Sequence, residues 1–228
     1  MKIIAHIRTD FADKFGVPRQ SGLVKELKGQ IIFEPEFRNP DAVRGLDKFS
    51  HLWILWKFSE MENLNGEWSP TVRPPRLGGN ERVGVFATRS PNRPNPIGLS
   101  SVRIKSVIID KKLGPVINVT GVDMIDATPI YDIKPYLPYV DSHPDATNGF
   151  ADNTKEYYLN VNIPENLYKK IPQEHVCAIC GILSNDPRPS YQNDAKRIYG
   201  MYYADMEIKF KVSDNELTVC DVLPCSRG

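Results

Sequence analysis

Long hydrophobic runs are missing from this chain. Its longest candidate, Leu52-Trp53-Ile54-Leu55-Trp56, is strand-sized and far too short to span a membrane. The first residues, Met-Lys-Ile-Ile-Ala-His-Ile-Arg, lack the apolar stretch of a signal peptide, so a cytosolic protein is expected. Net charge is also nearly absent, at +1, which excludes a lysine-coated nonspecific nucleic-acid binder but leaves room for a local basic site. Cysteine is scarce. Cys177-x-x-Cys180 and the distant Cys220 and Cys225 do not match familiar zinc-ribbon spacings, and the first pair lies in an apolar stretch where thiols act as small hydrophobes. His6, His51, His143 and His175 are too scattered to suggest ligand pairs, so no metal is expected. No GxGxxG fingerprint, GxxxxGK[ST] loop or G-x-S-x-G elbow occurs, which removes the two commonest nucleotide folds and one hydrolase signature. Internal repeats and low-complexity segments are absent.

The first two-thirds of the chain is rich in strand-like segments. Ile3–Ile7, Gln30–Phe37, His51–Phe58, Val83–Thr88, Ser101–Asp110 and Val116–Ile125 read as strands. The continuously apolar HLWILWKF suggests a strand buried on both faces, with Trp53 and Trp56 in the core. A slip in the spacing of Val102, Ile104, Val107 and Ile109 suggests a bulge, and Lys111–Pro115 a hairpin turn. Asp41–Phe49 is a helix candidate capped by Asn39 or Asp41. The expected fold is mainly β, a closed or nearly closed barrel, followed by a small α+β domain. The polar stretch Asp141–Asn153 places the division between residues 1–145 and 146–228. The second part ends in a hairpin, Tyr203–Val212 and Glu216–Val222, whose alternating Met206, Ile208, Phe210 and Val212 predict one packed face.

The most informative segment runs from Arg73 to Ser100. It holds Arg73, Arg76, Arg82, Arg89 and Arg93 against a single acid, Glu81, among five prolines, four glycines and three asparagines. Rigid turns that gather planar guanidinium groups suit recognition of carboxylate, phosphate or purine edges. A second cluster, Phe15–Gly22, adds Arg19 and Gln20, and a third runs from Asp123 to Tyr136. Carboxylates near arginines invite a binding cleft. His51, at the start of a buried strand, has an ordinary reading as a satisfied core histidine. These residues alone support a β-rich protein with a site for an anionic or nucleotide-like ligand. A noncatalytic nucleotide- or RNA-binding barrel and a hydrolase of a phosphorylated metabolite both stay open at that point.

The strings VPRQSGLV, FSHLWIL, RPPRLGG, GVFATRSPNRPNPIGLS and DIKPYLPY, in that order, resemble the TsaA-like (TrmO) family over roughly residues 1–140. DPRPSY and Tyr199-Gly200-Met201 resemble the smaller C-terminal domain of its bacterial members. The resemblance implies a closed single-sheet barrel without a Rossmann fold, a homodimer that binds S-adenosylmethionine and methylates the exocyclic N6 amine of threonylcarbamoyladenosine beside the anticodon of threonine tRNA. It implies cofactor contacts at Arg19, Gln20, Ser21, His51, Leu52, Arg89, Leu99 and the turn Asp126, Ala127, Thr128, Pro129, Ile130. Asp126, Asp132 and Tyr136 are the candidate proton acceptors. Arg93 or Arg76 would read the threonylcarbamoyl carboxylate, and Arg73, Asn95, Lys134, Arg188, Lys196 and Arg197 would join them on the anticodon arm. The family commonly has glycine where this chain has Ala127. A positive φ there would strain alanine by about 1 kcal/mol.

Overall fold

The computed structural model describes residues 1–58, 68–74, 81–154, 157–188 and 194–225. The first eight strands are β1 (Ala5–Thr9), β2 (Lys28–Phe33), β3 (His51–Lys57), β4 (Thr71–Val72), β5 (Val83–Gly84), β6 (Ile97–Asp110), β7 (Gly114–Thr120) and β8 (Thr128–Pro135). Six of them close into an antiparallel barrel in the order β1-β2-β7-β6-β3-β8, while β4 and β5 pair separately. Alternation explains the closure. Leu52, Ile54 and Trp56 of β3 face inward with Ile7, Ile31, Val102, Ile117 and Ile130, all nearly or wholly buried.

Several expectations change. β3 alternates between buried and half-buried positions, so it is buried on one face only and Trp53 lies on the barrel exterior. The Val83–Thr88 strand stops after Gly84 and continues as a 3-10 turn, Val85–Ala87. The sixth barrel strand is instead β8, which the sequence presented as a turn because Pro129 and Pro135 interrupt it. The helix over Asp41–Phe49 is replaced by two 3-10 turns, Pro40–Val43 and Leu46–Lys48. Gly45, at φ 84°, breaks the helical path between them, while Asn39 caps the first turn. The expected bulge is present as a register shift between Ile104 and Ser106 of β6. The 111–115 turn is held by the Asp110 carboxylate, which accepts the N–H groups of Lys112 and Leu113.

Beyond the barrel come α1 (Pro138–Asp141), β9 (Asn160–Asn162), α2 (Glu165–Tyr168), α3 (Gln173–Ser184), β10 (Tyr199–Tyr203), β11 (Met206–Ser213) and β12 (Glu216–Pro224). The last three strands form a meander, and β9 joins β12 in parallel. Met206, Ile208, Phe210 and Val212 are buried as the pattern predicts. This sheet meets the barrel through the segment between β1 and β2. Phe11 packs edge-on to Tyr203 at 5.1 Å, Phe15 stacks with Phe210 at 6.4 Å, and Ala204 N–H donates to the Asp10 carbonyl at 3.1 Å. Gly16 and Gly181 let Met201 and Val24 approach closely, and one continuous hydrophobic core spans both sheets.

Candidate functional site

Strand register decides which expected site residues meet. β3 sits between β6 and β8. His51 lies opposite Arg103, Trp53 opposite Ser101 and Leu55 opposite Leu99 on one edge. On the other edge, Trp53 faces Lys134 and Leu55 faces Asp132. Since Leu52 and Ile54 point inward, these partners share the outer face. Tyr136 closes it: its N–H donates to the His51 carbonyl at 3.0 Å, and its ring lies 5.5 Å from Trp53 and 6.3 Å from His51. His51, Leu99, Asp132, Lys134 and Tyr136 therefore occupy one exterior surface. Asp132 and Lys134 are paired at 2.9 Å, and Leu99 is exposed. Burial and the positive charge of Arg103 hold the His51 ring below its ordinary pKa, so it is neutral near pH 7.

The rim of this face is built where β6 outruns β7. The Arg19–Gly22 turn fills the gap: Ser21 Oγ accepts the Ser101 N–H at 3.1 Å, and Gly22 N–H donates to the Gly121 carbonyl at 2.9 Å. Gln20 Oε1 accepts from the Arg89 guanidinium. The signature Gly98-Leu99-Ser100 then reads as a strand. Gly98 is pressed on the Trp56 indole, Leu99 points out, and Ser100 accepts the Trp56 Nε1–H at 2.9 Å.

Sequence reasoning missed Asp123 as a site residue, although the Asp123–Tyr136 stretch was singled out. Its carboxyl lies beneath the rim, bonded by the Ser100 hydroxyl and the Ser21 N–H, and Arg89 acts on it by charge. One oxygen, Oδ1, is buried with no hydrogen-bond partner. Burial pushes its pKa up to about 6 against the pull of those donors. A lone aspartate after a strand carries no such signal in sequence.

Other expected residues lie elsewhere. The side chains of Leu52, Thr128 and Ile130 are buried, so they offer a ligand only backbone atoms. Arg19 lines a separate cavity of about 280 Å³ with Lys14, Phe15, Asp186 and Arg188. Asp126 and Ala127 line another of about 200 Å³ with His6, Arg8, Glu34 and Arg38. Asp126 Oδ1 accepts the Thr9 N–H at 2.9 Å. Asp126 and Tyr136 are separated by all eight residues of β8, roughly 26 Å of strand, so they cannot serve one reacting atom in one protomer. Ala127 has φ 58°, so the turn keeps the left-handed backbone that suits the family's usual glycine.

The arginines also divide. Arg89 faces the rim, whereas Arg93 folds back on its own loop, its Nη1 donating to the Thr88 carbonyl at 3.1 Å. Neither lines the two cavities above. Arg73, Asn95, Lys196 and Arg197 are exposed, and Arg197 lies over the Tyr199 ring at 5.2 Å. Arg188 is not on the expected basic surface: it is buried and forked onto Asp186 at 2.8 and 2.9 Å. Arg76 lies outside the described residues.

A closed antiparallel six-stranded barrel with Arg89 at the rim of its outer face defines a class, that of single-sheet β-barrel proteins without a Rossmann domain. The chain belongs to the TrmO family. Residues 6–142 match the tRNA-methyltransferase O N-terminal domain and residues 159–225 the TrmO C-terminal domain. It is 42% identical over 220 residues to the tRNA (adenine(37)-N6)-methyltransferase of Escherichia coli, covering 92% of each chain. It is 37% identical to a putative S-adenosylmethionine-dependent methyltransferase of Pseudomonas aeruginosa, over 90% of this chain and 89% of the other. The crystal structure of TrmO from Pseudomonas aeruginosa superposes with a TM-score of 0.75 at 30% identity, covering 97% of both chains.

Proposed function

We propose that this chain is an S-adenosylmethionine-dependent tRNA methyltransferase acting on the N6 amine of threonylcarbamoyladenosine beside the anticodon of threonine tRNA. The observation that carries the reading is the 42% identity to a tRNA (adenine(37)-N6)-methyltransferase along 92% of both chains. The structure adds support, because FSHLWIL, DIKPYLPY, the Gly98-Leu99-Ser100 end of the signature loop and Ser21 of VPRQSGLV meet on one barrel face and its rim.

The residues present suit S-adenosylmethionine. Asp123 offers an unpartnered carboxylate oxygen, Arg89 a guanidinium, and Leu99 an exposed apolar side chain. The cofactor would supply an activated methyl on a sulfonium, so placement of the acceptor can account for much of the catalysis. The adenine amine must lose a proton as its new N–C bond forms. Asp132 and Tyr136, on the face with His51 and Leu99, are the acceptors best placed for that role. Asp126, at the far end of β8, is assigned to shaping the turn at Thr9. Arg93 is braced at one nitrogen, and it or Arg76 would pair with the threonylcarbamoyl carboxylate.

Residues 1–145 carry the site in this reading, and residues 146–228 buttress the Arg19 turn from behind through Arg188. The wide separation of the Asp126 turn from His51 favours a homodimer in which the two ends of β8 meet across protomers. Among the described residues no helix is long and apolar enough to cross a membrane. The anticodon arm would be gripped by Arg73, Asn95, Lys134 and Arg197.

Labelled methyl transfer tests the proposal. Label from S-adenosylmethionine should enter tRNA that carries the threonylcarbamoyl group and enter tRNA lacking it far more slowly. Equal labelling of both would refute the substrate assignment. No labelling, with S-adenosylmethionine still bound in calorimetry, would favour a noncatalytic RNA-binding barrel.

A further inference from the structure

Trp68 and Phe86 stand outside the barrel core and the face described above. Their rings stack with centroids 5.9 Å apart at 30°, and the Arg93 guanidinium lies 5.8 Å from the Phe86 centroid. Phe86 is nonetheless 70% exposed and Trp68 47%. The backbone fixes this arrangement. β4 and β5 pair, Val85 N–H donates to the Pro70 carbonyl at 2.9 Å, and buried Val85 anchors the turn that turns Phe86 outward. Arg93 is braced by the Thr88 carbonyl.

An exposed apolar pair alone would suit many partners, and its charge setting narrows them. Residues 67–100 hold Arg73, Arg76, Arg82, Arg89 and Arg93 against two acids, Glu67 and Glu81, which leaves an excess of positive charge. Open aromatic faces beside guanidinium groups match a planar base carrying a phosphate, since every base presents a π face and every linkage an anion. A second copy of this chain would gain from the apolar area but not from the excess of positive charge.

We infer that Trp68, Phe86 and Arg93 form a stacking platform for an unpaired base of the substrate RNA. The inference rests on the tRNA reading above and deepens it by naming where the anticodon loop lies.

The experiment measures binding of a fluorescent hairpin with the anticodon loop of threonine tRNA, its threonylcarbamoyladenosine included, to the whole chain. Wild type, Phe86→Leu, Phe86→Tyr and Trp68→Leu are compared, with sedimentation reporting oligomeric state and calorimetry reporting S-adenosylmethionine affinity. Leucine keeps apolar area but removes the π face, whereas tyrosine keeps both. Phe86→Leu and Trp68→Leu should weaken RNA binding about tenfold or more, and Phe86→Tyr should stay within about twofold. Oligomeric state and cofactor affinity should not change. If wild type binds the hairpin and both leucine variants bind it equally well, the platform is wrong while the tRNA reading stands. RNA loss that tracks a change in oligomeric state would also overturn it, as a contact between copies. If wild type fails to bind the hairpin, the tRNA reading itself has failed.

Discussion

The Trp56 indole N–H donates to the Ser100 hydroxyl at 2.9 Å, in the strand pair that seals the barrel beneath the candidate site. An indole only donates, so Ser100 must accept there and has its single hydrogen free for Asp123. This directional chain places a carboxyl in a buried setting under the Arg19–Gly22 turn.

Asp123 gives a pH signature. Its folded-state pKa, about 6, lies above the ordinary carboxylate value, so the folded protein holds this proton more tightly than the unfolded chain. Stability from that proton is fully present below pH 4 and declines as pH rises through 6. The full span is on the order of 3 kcal/mol at 1.36 kcal/mol per unit. Asp123→Asn should therefore gain stability over wild type between pH 5 and pH 8 in denaturant titrations. A stability difference that stays constant across that range would show that the carboxyl is not perturbed.

Ala127 holds a left-handed backbone with an exposed side chain. Ala127→Gly should stabilise the protein by about 1 kcal/mol, because glycine adopts that region without steric cost and no packing is lost. Thermal unfolding would reveal the gain. A loss of stability would mean that the turn is not strained.

Gly98 meets Trp56 so closely that a Cβ there would lie 2.1 Å from the indole Cε2. Gly98→Ala must therefore displace the indole and its bond to Ser100. The expected cost is about 1–3 kcal/mol, with reduced S-adenosylmethionine affinity as the rim shifts. Wild-type stability and affinity in this variant would contradict the packing argument.

The barrel was legible because short apolar segments bounded by turn residues read as strands at β1, β2, β3, β6 and β7, and the β6 bulge announced itself as a slip in its alternation. β8 was not legible, since its prolines mimic a turn and its pairing is settled only by contact with β1 and β3. Arg188 read as surface charge because its burial depends on Asp186 folding back, a local loop geometry that composition does not encode. Asp123 is the same kind of case. Only the closed barrel brings Ser21, Ser100 and Arg89 around it.

Mass spectrometry of nucleosides from threonine tRNA incubated with the protein and S-adenosylmethionine tests the methyl transfer itself. Threonylcarbamoyladenosine should be converted to a species one methyl heavier, with the methyl on N6, and Asp132→Asn or Tyr136→Phe should slow the conversion at least tenfold. Unchanged nucleosides, or a methyl on any other base, would contradict it.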